Sequence, residues 1–252
     1  MLPTRRAVLA AAASSIAARG VEAAGGGAAA RDIRAVAFDA FAVFDPRSVA
    51  SLADELFPGK GAELTNVWRT RQFEYAWLRV LSQRYADFWQ ITSDALIFAA
   101  KTLRLDLPED KRARLMQAHL ELKPWPDAGE AFRTMKQAGL RLVFLSNFTR
   151  QMLQANVANA GLEGTFELLL STDAVRTFKP DRQAYQLGID ALGLGRGEIL
   201  FVAFAGWDAA GAKSFGYETF WTNRQNLPVE ELDSAPDFIG SSLADLMRVL
   251  RI

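Results

Sequence analysis

The sequence predicts an α/β protein: a parallel sheet core interrupted by an inserted block of helices. Three observations predict it. Short apolar runs over 33–38, 140–145, 166–170, 199–204 and 217–221 are each bounded by turn or polar residues. Such runs suit strands buried on both faces. Helical patterns lie between the later runs. Residues 47–123 break this rhythm, with no convincing strand and many helix formers and aromatics.

Residues 1–30 stand apart from the rest. Thr4-Arg5-Arg6 precedes an alanine-rich run over 7–18, then Arg19, Glu22 and a Gly/Ala stretch. A charged start, a short apolar core and small residues near a cut site describe an export signal. The run is shorter than the roughly 20 residues a membrane helix needs. The arginine pair points to twin-arginine export and a periplasmic location. A chance arginine pair on a cytoplasmic protein is the alternative. Val21-Glu22-Ala23 offers one cleavage site.

The first strand, 33–38, ends at Asp39 with a turn behind it. Within the block 47–123, Val67, Trp68, Gln72, Tyr75, Leu78 and Ser82 trace one side of a long helix, and 85–103 and 109–122 supply more helix. Pro124 and Pro126 mark the return to the core. Helix 127–138 stops at Gly139, helix 150–160 before Gly161 and helix 182–192 before Gly193. Glycine just past the last helical residue is a natural stop. Strand 140–145 runs into Ser146-Asn147, and strand 199–204 ends near Trp207-Asp208. Strand and helix alternation implies right-handed crossovers and a Rossmann-like core. The expected division is a leader (1–30), a core (31–46 and 124–252) and a helical cap (47–123).

The 252 residues are 50% apolar and 23% charged, enough for a substantial core. Lys+Arg and Asp+Glu both number 29, so the net charge is zero and a basic nucleic-acid binder is not expected. No later stretch is long and apolar enough for a membrane span. Cysteine is absent, which excludes disulfides, thiolate metal sites and a Cys nucleophile. The single histidine, His119, leaves no second imidazole for a multi-histidine zinc site. Catalysis is left to carboxylates, Lys, Arg, hydroxyls and amides.

Ligands of an open parallel sheet bind beyond the carboxyl ends of its strands. Four polar stations fall there: Asp39, Ser146-Asn147, Lys179 and Asp208. Each has a bland reading as a helix cap, a turn pair or a helix start. Their joint placement points to one site.

These residues carry a resemblance. Phe38-Asp39-Ala40-Phe41, Leu145-Ser146-Asn147, Phe178-Lys179-Pro180-Asp181 and Trp207-Asp208, in that order, resemble the haloacid dehalogenase superfamily. The segment from Trp68 to Arg79 resembles the cap helix of the type II (S)-2-haloacid dehalogenases, and Trp221-Thr222-Asn223-Arg224 their late strand-end signature. The resemblance spans 33–252. It implies that Asp39 is the nucleophile, displacing halide from the α-carbon of a 2-haloacid to give an ester that water cleaves. It implies that Arg69, Ser146 and Asn147 cradle the halide or the substrate carboxylate. Lys179 would keep Asp39 ionised and oriented. Tyr185 would join the same network, and Asp208 would pair with Lys179 and help place the water. Phe41, Phe73, Phe88 and Trp207 would form a wall against bulk water, or serve as plain core. Superfamily phosphatases carry a second Asp two residues after the first and bind Mg²⁺ with the pair. Phe41 stands at that place, so neither a metal nor another cofactor is expected.

Departures from the pattern concern supporting groups. The family's first loop reads Asp-Ala-Tyr-Gly-Thr-Leu-Phe-Asp, whereas 39–45 reads Asp-Ala-Phe-Ala-Val-Phe-Asp, one residue shorter. The family's Val-Ser-Ser-Asn-x-Trp-Asp is replaced by Val202-Ala203-Phe204-Ala205-Gly206-Trp207-Asp208. Losing a polar anchor for the hydrolytic water costs on the order of 2–4 kcal/mol. A degenerate, slow or non-catalytic relative that binds a small carboxylate or a protein partner is therefore the competing reading. A homodimer is also expected, because Trp68, Tyr75, Trp77 and Leu78 place apolar surface on several sides of the cap helix.

Overall fold

A computed structural model describes residues 32–252. The leader, with its arginine pair and cleavage site, lies outside the described residues. The described chain begins at the fully buried strand β1 (Ala35–Phe38). One turn of helix, α1 (Ala40–Val43), and a short strand, β2 (Phe44–Asp45), follow it. Helices α2 (Arg47–Leu56), α3 (Gly61–Leu81), α4 (Phe88–Thr102) and α5 (Glu109–Gln117) make up the inserted block. The chain returns through β3 (Lys123–Pro124), antiparallel to β2, with Phe44 opposite Pro124 and Asp45 opposite Lys123. The helical block thus leaves and rejoins the core through one narrow ribbon.

The remainder alternates as α6 (Ala128–Gln137), β4 (Arg141–Ser146), α7 (Arg150–Asn159), β5 (Leu168–Ser171), α8 (Arg182–Leu192), β6 (Ile199–Ala203), α9 (Gly206–Phe215) and β7 (Glu218–Thr222). A last strand, β8 (Phe238–Gly240), and helix α10 (Leu243–Leu250) end it. All strand pairings in the six-stranded sheet are parallel, in the order β5-β4-β1-β6-β7-β8. Taken in order of appearance, this is the 3-2-1-4-5-6 order of doubly wound sheets, so a crevice opens beyond the carboxyl end of β1, where the winding reverses. Two apolar layers flank the sheet. One contains Phe38, Phe44, Phe132 and Phe144; the other contains Tyr185, Phe201, Phe215 and Tyr217.

Several expectations change. The buried stripe of α3 is Leu64, Trp68, Gln72 and Ala76, rather than the line through Tyr75, Leu78 and Ser82. Leu78 is 56% exposed, and Ser82 caps the helix from outside it. The reason is spacing. A strict four-residue step keeps residues on one slowly drifting face, and α3 uses that step against α4. Trp68 is buried, Tyr75 packs on Phe98, and Trp77 packs on Trp207, so these rings are largely hidden within the subunit. Strand β3 touches the block read as strand-free, because two backbone pairs need no hydrophobic pattern. Strand β8 was not expected: its Ile239 is 51% exposed, so no sustained apolar run marks this edge. The third strand begins at Leu168 rather than residue 166; Phe166 is instead a core ring 4.1 Å from Phe144.

Trp125 locks the ribbon to the core. Its backbone N–H donates to Val43 O at 3.0 Å and its indole Nε1 donates to Phe41 O at 2.9 Å. Arg47 and Arg224 lie over the ring, 5.0 and 4.3 Å from its centroid. Trp125→Ala removes the indole bond and leaves a cavity. It is expected to cost about 3–5 kcal/mol in urea unfolding, and a loss below about 1 kcal/mol would show that the ring is not the lock.

Candidate active site

Asp39 caps α1. Its extended backbone ends β1, and its Oδ2 accepts from Phe41 N at 3.0 Å. The bland reading as a helix cap and the functional one are both true of this residue. The cap orients the carboxylate, while its other oxygen, Oδ1, accepts from Lys179 Nζ at 2.9 Å. The same ammonium donates to Asp208 Oδ2 at 2.6 Å. Asp208 Oδ1 accepts from the Tyr185 hydroxyl at 2.8 Å. Lys179, Tyr185 and Asp208 are buried, and only Asp39 retains modest exposure toward the crevice.

Burial acts on each group. Desolvation would lower the pKa of Lys179, but the carboxylates of Asp208 and Asp39 outweigh it and raise the value above that of a free lysine, so the ammonium persists. Burial raises Asp208, against the opposing charge of Lys179, while Asp39 pushes it further the same way. Burial also raises the Tyr185 hydroxyl well above its usual range, which keeps it a neutral donor.

Asn147 supplies a directed donor. Its Oδ1 accepts from Lys179 N at 2.9 Å and from the Thr172 hydroxyl at 3.3 Å. That fixes the amide with Nδ2 on the other side, buried and without a partner. An unpaired buried donor is costly unless a ligand meets it. Ser146 Oγ accepts from Phe148 N at 3.1 Å, which leaves its own proton to donate. Arg69 forms no ion pair or hydrogen bond among the described residues. Its guanidinium lies 5.7 Å from the Phe204 ring centroid. Arg69 is an exposed residue, yet partial desolvation of its charge lowers its pKa, an effect that nearby Asp39 opposes.

Asp39, Phe41, Arg69, Phe73, Phe88, Ser146, Asn147, Trp207 and Asp208 line one cavity of about 20 Å³. Lys179 and Tyr185 stand behind it and act through the carboxylates. Rings close the sides: Phe73 lies 5.2 Å from Trp207, and Phe41 lies 5.1 Å from Phe148. Phe148, Phe204 and Ala205 belong to the wall as well and were not among the expected site residues. Phe148 directly follows Ser146-Asn147, a hint the sequence did offer. Thr172, and Trp77, whose Nε1 donates to Lys179 O at 3.1 Å, carry no local signal. Ala203 is fully buried, and Ala205 turns a methyl toward the cavity where a polar group would suit a water.

A carboxylate at a strand end, a buried ammonium behind it, and anion donors under an inserted helical roof are features of a haloacid dehalogenase-like hydrolase. A sequence profile of that family matches residues 28–216, and the chain belongs to it. Among characterised relatives, the (S)-2-haloacid dehalogenase of Pseudomonas sp. (strain YL) is 44% identical over 212 residues, covering 84% of this chain and 91% of the relative. Haloacetate dehalogenase H-2 of Moraxella sp. (strain B) is 41% identical, covering 82% and 93%. A crystal structure of the L-2-haloacid dehalogenase from Xanthobacter autotrophicus, with chloropropionic acid covalently bound, superposes with a TM-score of 0.80 at 39% identity, covering 87% of this chain and 98% of that one.

The positions of Tyr185 and Lys179 depend on close approach of α9. A Cβ at Gly211 would lie 2.6 Å from the Tyr185 hydroxyl oxygen and 2.7 Å from Pro180 Cβ. Gly211→Ala is expected to cost about 1–3 kcal/mol through overpacking and to raise the susceptibility of the Asp208 region to amide exchange. Unchanged stability and exchange would show that the packing here is looser than the structure has it.

Proposed function

We propose that the protein hydrolyses short 2-haloalkanoic acids with (S) configuration, through an ester on Asp39 and without a metal. The observation that carries this is Lys179 Nζ bridging Asp39 and Asp208 at 2.9 and 2.6 Å. That ammonium is itself the cation of the site, and it holds the Asp39 carboxylate in the wall of a largely apolar cavity. The covalent adduct in the Xanthobacter relative supports the same route.

In the first step an Asp39 oxygen attacks C2 from the side opposite the halogen. The C–O bond forms, the carbon–halogen bond breaks and halide leaves with the electron pair. Asn147 Nδ2, the Ser146 hydroxyl and Arg69 stabilise the anionic groups at the far side of the cavity. In the second step water attacks the Asp39 carboxyl carbon, and the ester opens at the acyl–oxygen bond. One proton is released, and Asp39 returns to a carboxylate. The C2 centre inverts once, so an (S)-2-chloro acid yields an (R)-2-hydroxy acid. Phe73, Phe88, Phe41 and Trp207 keep bulk water from the reacting carbon.

The similarity to dehalogenases over most of both chains favours turnover over the reading of an inert binder. We further propose that 47–123 acts as a cap domain and that residues 1–30 direct twin-arginine export to the periplasm. A homodimer would cover the exposed Leu78 and Leu81 at the end of α3.

Chloride release from (S)-2-chloropropionate or bromide release from bromoacetate tests the reaction. Halide release is expected to persist in EDTA and to vanish in Asp39→Asn. No halide above that control from either acid would end the proposal. Arg69→Ala is expected to lower kcat/KM by about a hundredfold or more, in line with loss of one preorganised charge donor. Acid should also inactivate the enzyme. Asp208 holds Lys179 only when ionised, and burial raises its pKa, so kcat should fall as the pH drops through that raised value. The limb is expected above the value of about 3.9 for an exposed Asp. A flat profile down to pH ~4 would contradict this role.

A further inference from the structure

The cavity of about 20 Å³ at Asp39 has a much larger neighbour. A second cavity of about 320 Å³ lies between the cap helices and the core, with Val49, Ala50, Ala62 and Trp68 among its apolar walls. Three side chains line both spaces: Phe41, Arg69 and Phe204. They form the partition between them. Arg69 belongs to the anion-binding set. Phe41 is tied to the nucleophile, because its backbone N–H donates to Asp39 and its carbonyl accepts from Trp125. The Phe204 ring makes no hydrogen bond; it carries the Arg69 guanidinium on one face at 5.7 Å and otherwise serves as wall.

Phe204 is nevertheless held firmly. It follows β6 directly and is 7% exposed. Its carbonyl accepts from Trp221 Nε1 at 3.0 Å, which anchors the backbone. Its ring lies 6.0 Å from Phe41 and stacks on Trp125 at 6.2 Å. A space of about 20 Å³ holds little more than one water. Even a two-carbon haloacid must push the partition outward. A longer alkyl chain on C2 finds room in the outer cavity, which shares three side chains with the catalytic one and offers Val49, Ala50 and Trp68 among its walls, and Phe204 stands between.

We propose that Phe204 sets the chain-length limit of this enzyme, closing the catalytic cavity against a latent alkyl subsite under the cap. This rests on the dehalogenase reading of the site. Truncating the ring joins the two cavities and removes no hydrogen bond or ion pair of Asp39, Lys179, Asp208, Asn147 or Arg69; of the charged groups only Arg69 loses a contact, the one with the ring face, and it loses it for both acids alike. Relief of the partition is shared by both acids, but only the longer one reaches Val49, Ala50 and Trp68 and gains contact there.

The test compares wild type with Phe204→Ala and the milder Phe204→Leu, using bromoacetate and racemic 2-bromohexanoate. In Phe204→Ala the ratio of kcat/KM for the six-carbon acid to that for the two-carbon acid is expected to rise about tenfold or more, the scale of a few methylenes in an apolar pocket. Phe204→Leu should move it the same way by less. Bromide release from bromoacetate with an unchanged ratio in both variants would overturn the proposal while leaving the dehalogenase reading intact. Absence of bromide release by wild type from either acid would instead sink that reading. Calorimetric binding of unreactive acetate and hexanoate tests the partition apart from catalysis. Phe204→Ala should favour hexanoate over acetate more strongly than wild type does, and equal preference would overturn the proposal.

Discussion

The site depends on one buried ammonium. Lys179 reaches Asp39 and Asp208 together, from a position with almost no solvent exposure. An isolated charge there would carry a penalty of several kcal/mol. Two carboxylates offset that penalty, and the Tyr185 hydroxyl satisfies the remaining oxygen of Asp208. Removing Lys179 leaves two carboxylates facing each other without a cation. The network also sets geometry: Asp39 is capped by Phe41 N, held by Lys179 and placed in the wall of the cavity. The helix cap and the salt bridge use different oxygens of one carboxylate, so stability and reactivity are set by the same geometry.

The inserted helices supply what the sheet cannot. Strand ends present polar groups to an open crevice, where water would screen every charge. Phe73 and Phe88 arrive from α3 and α4 to meet Trp207 and Phe148 from the core. Arg69 arrives on the same helix as Phe73, so the roof brings the cation and the water barrier together. Trp125 matters because it fastens both arms of the narrow ribbon on which that roof hangs. The departures at Ala203, Phe204 and Ala205 all lie on one strand end. Ala203 is buried in the core, Ala205 gives the cavity at Asp39 an apolar lining, and Phe204 is part of the wall between two cavities.

Much of this is legible in the sequence. Runs buried on both faces are continuous in apolar residues, so five of the six sheet strands stood out. The polar stations were visible because each interrupts such a run. What stayed hidden had no periodic signature. Strand β8 is short and partly exposed, and β2 with β3 is only a pair of backbone contacts. The buried face of α3 was misread beyond Gln72 because Trp, Tyr and Leu occur on more than one side of it, and hydrophobicity alone does not choose among them. Thr172 and Trp77 orient the site through Asn147 and the Lys179 carbonyl, contacts that no local pattern encodes.

The amino-acid order by itself determined the alternation of strands and helices, the place of the insertion and the candidates for charge and nucleophile, because these follow from local periodicity and from chemistry at strand ends. Only the tertiary structure decided which oxygen of Asp39 meets Lys179, which nitrogen of Asn147 is left to donate, and that Phe204 divides one space from another. Those facts depend on distances between residues far apart in the chain, and such distances exist only once the sheet is wound and the helical roof has closed over it.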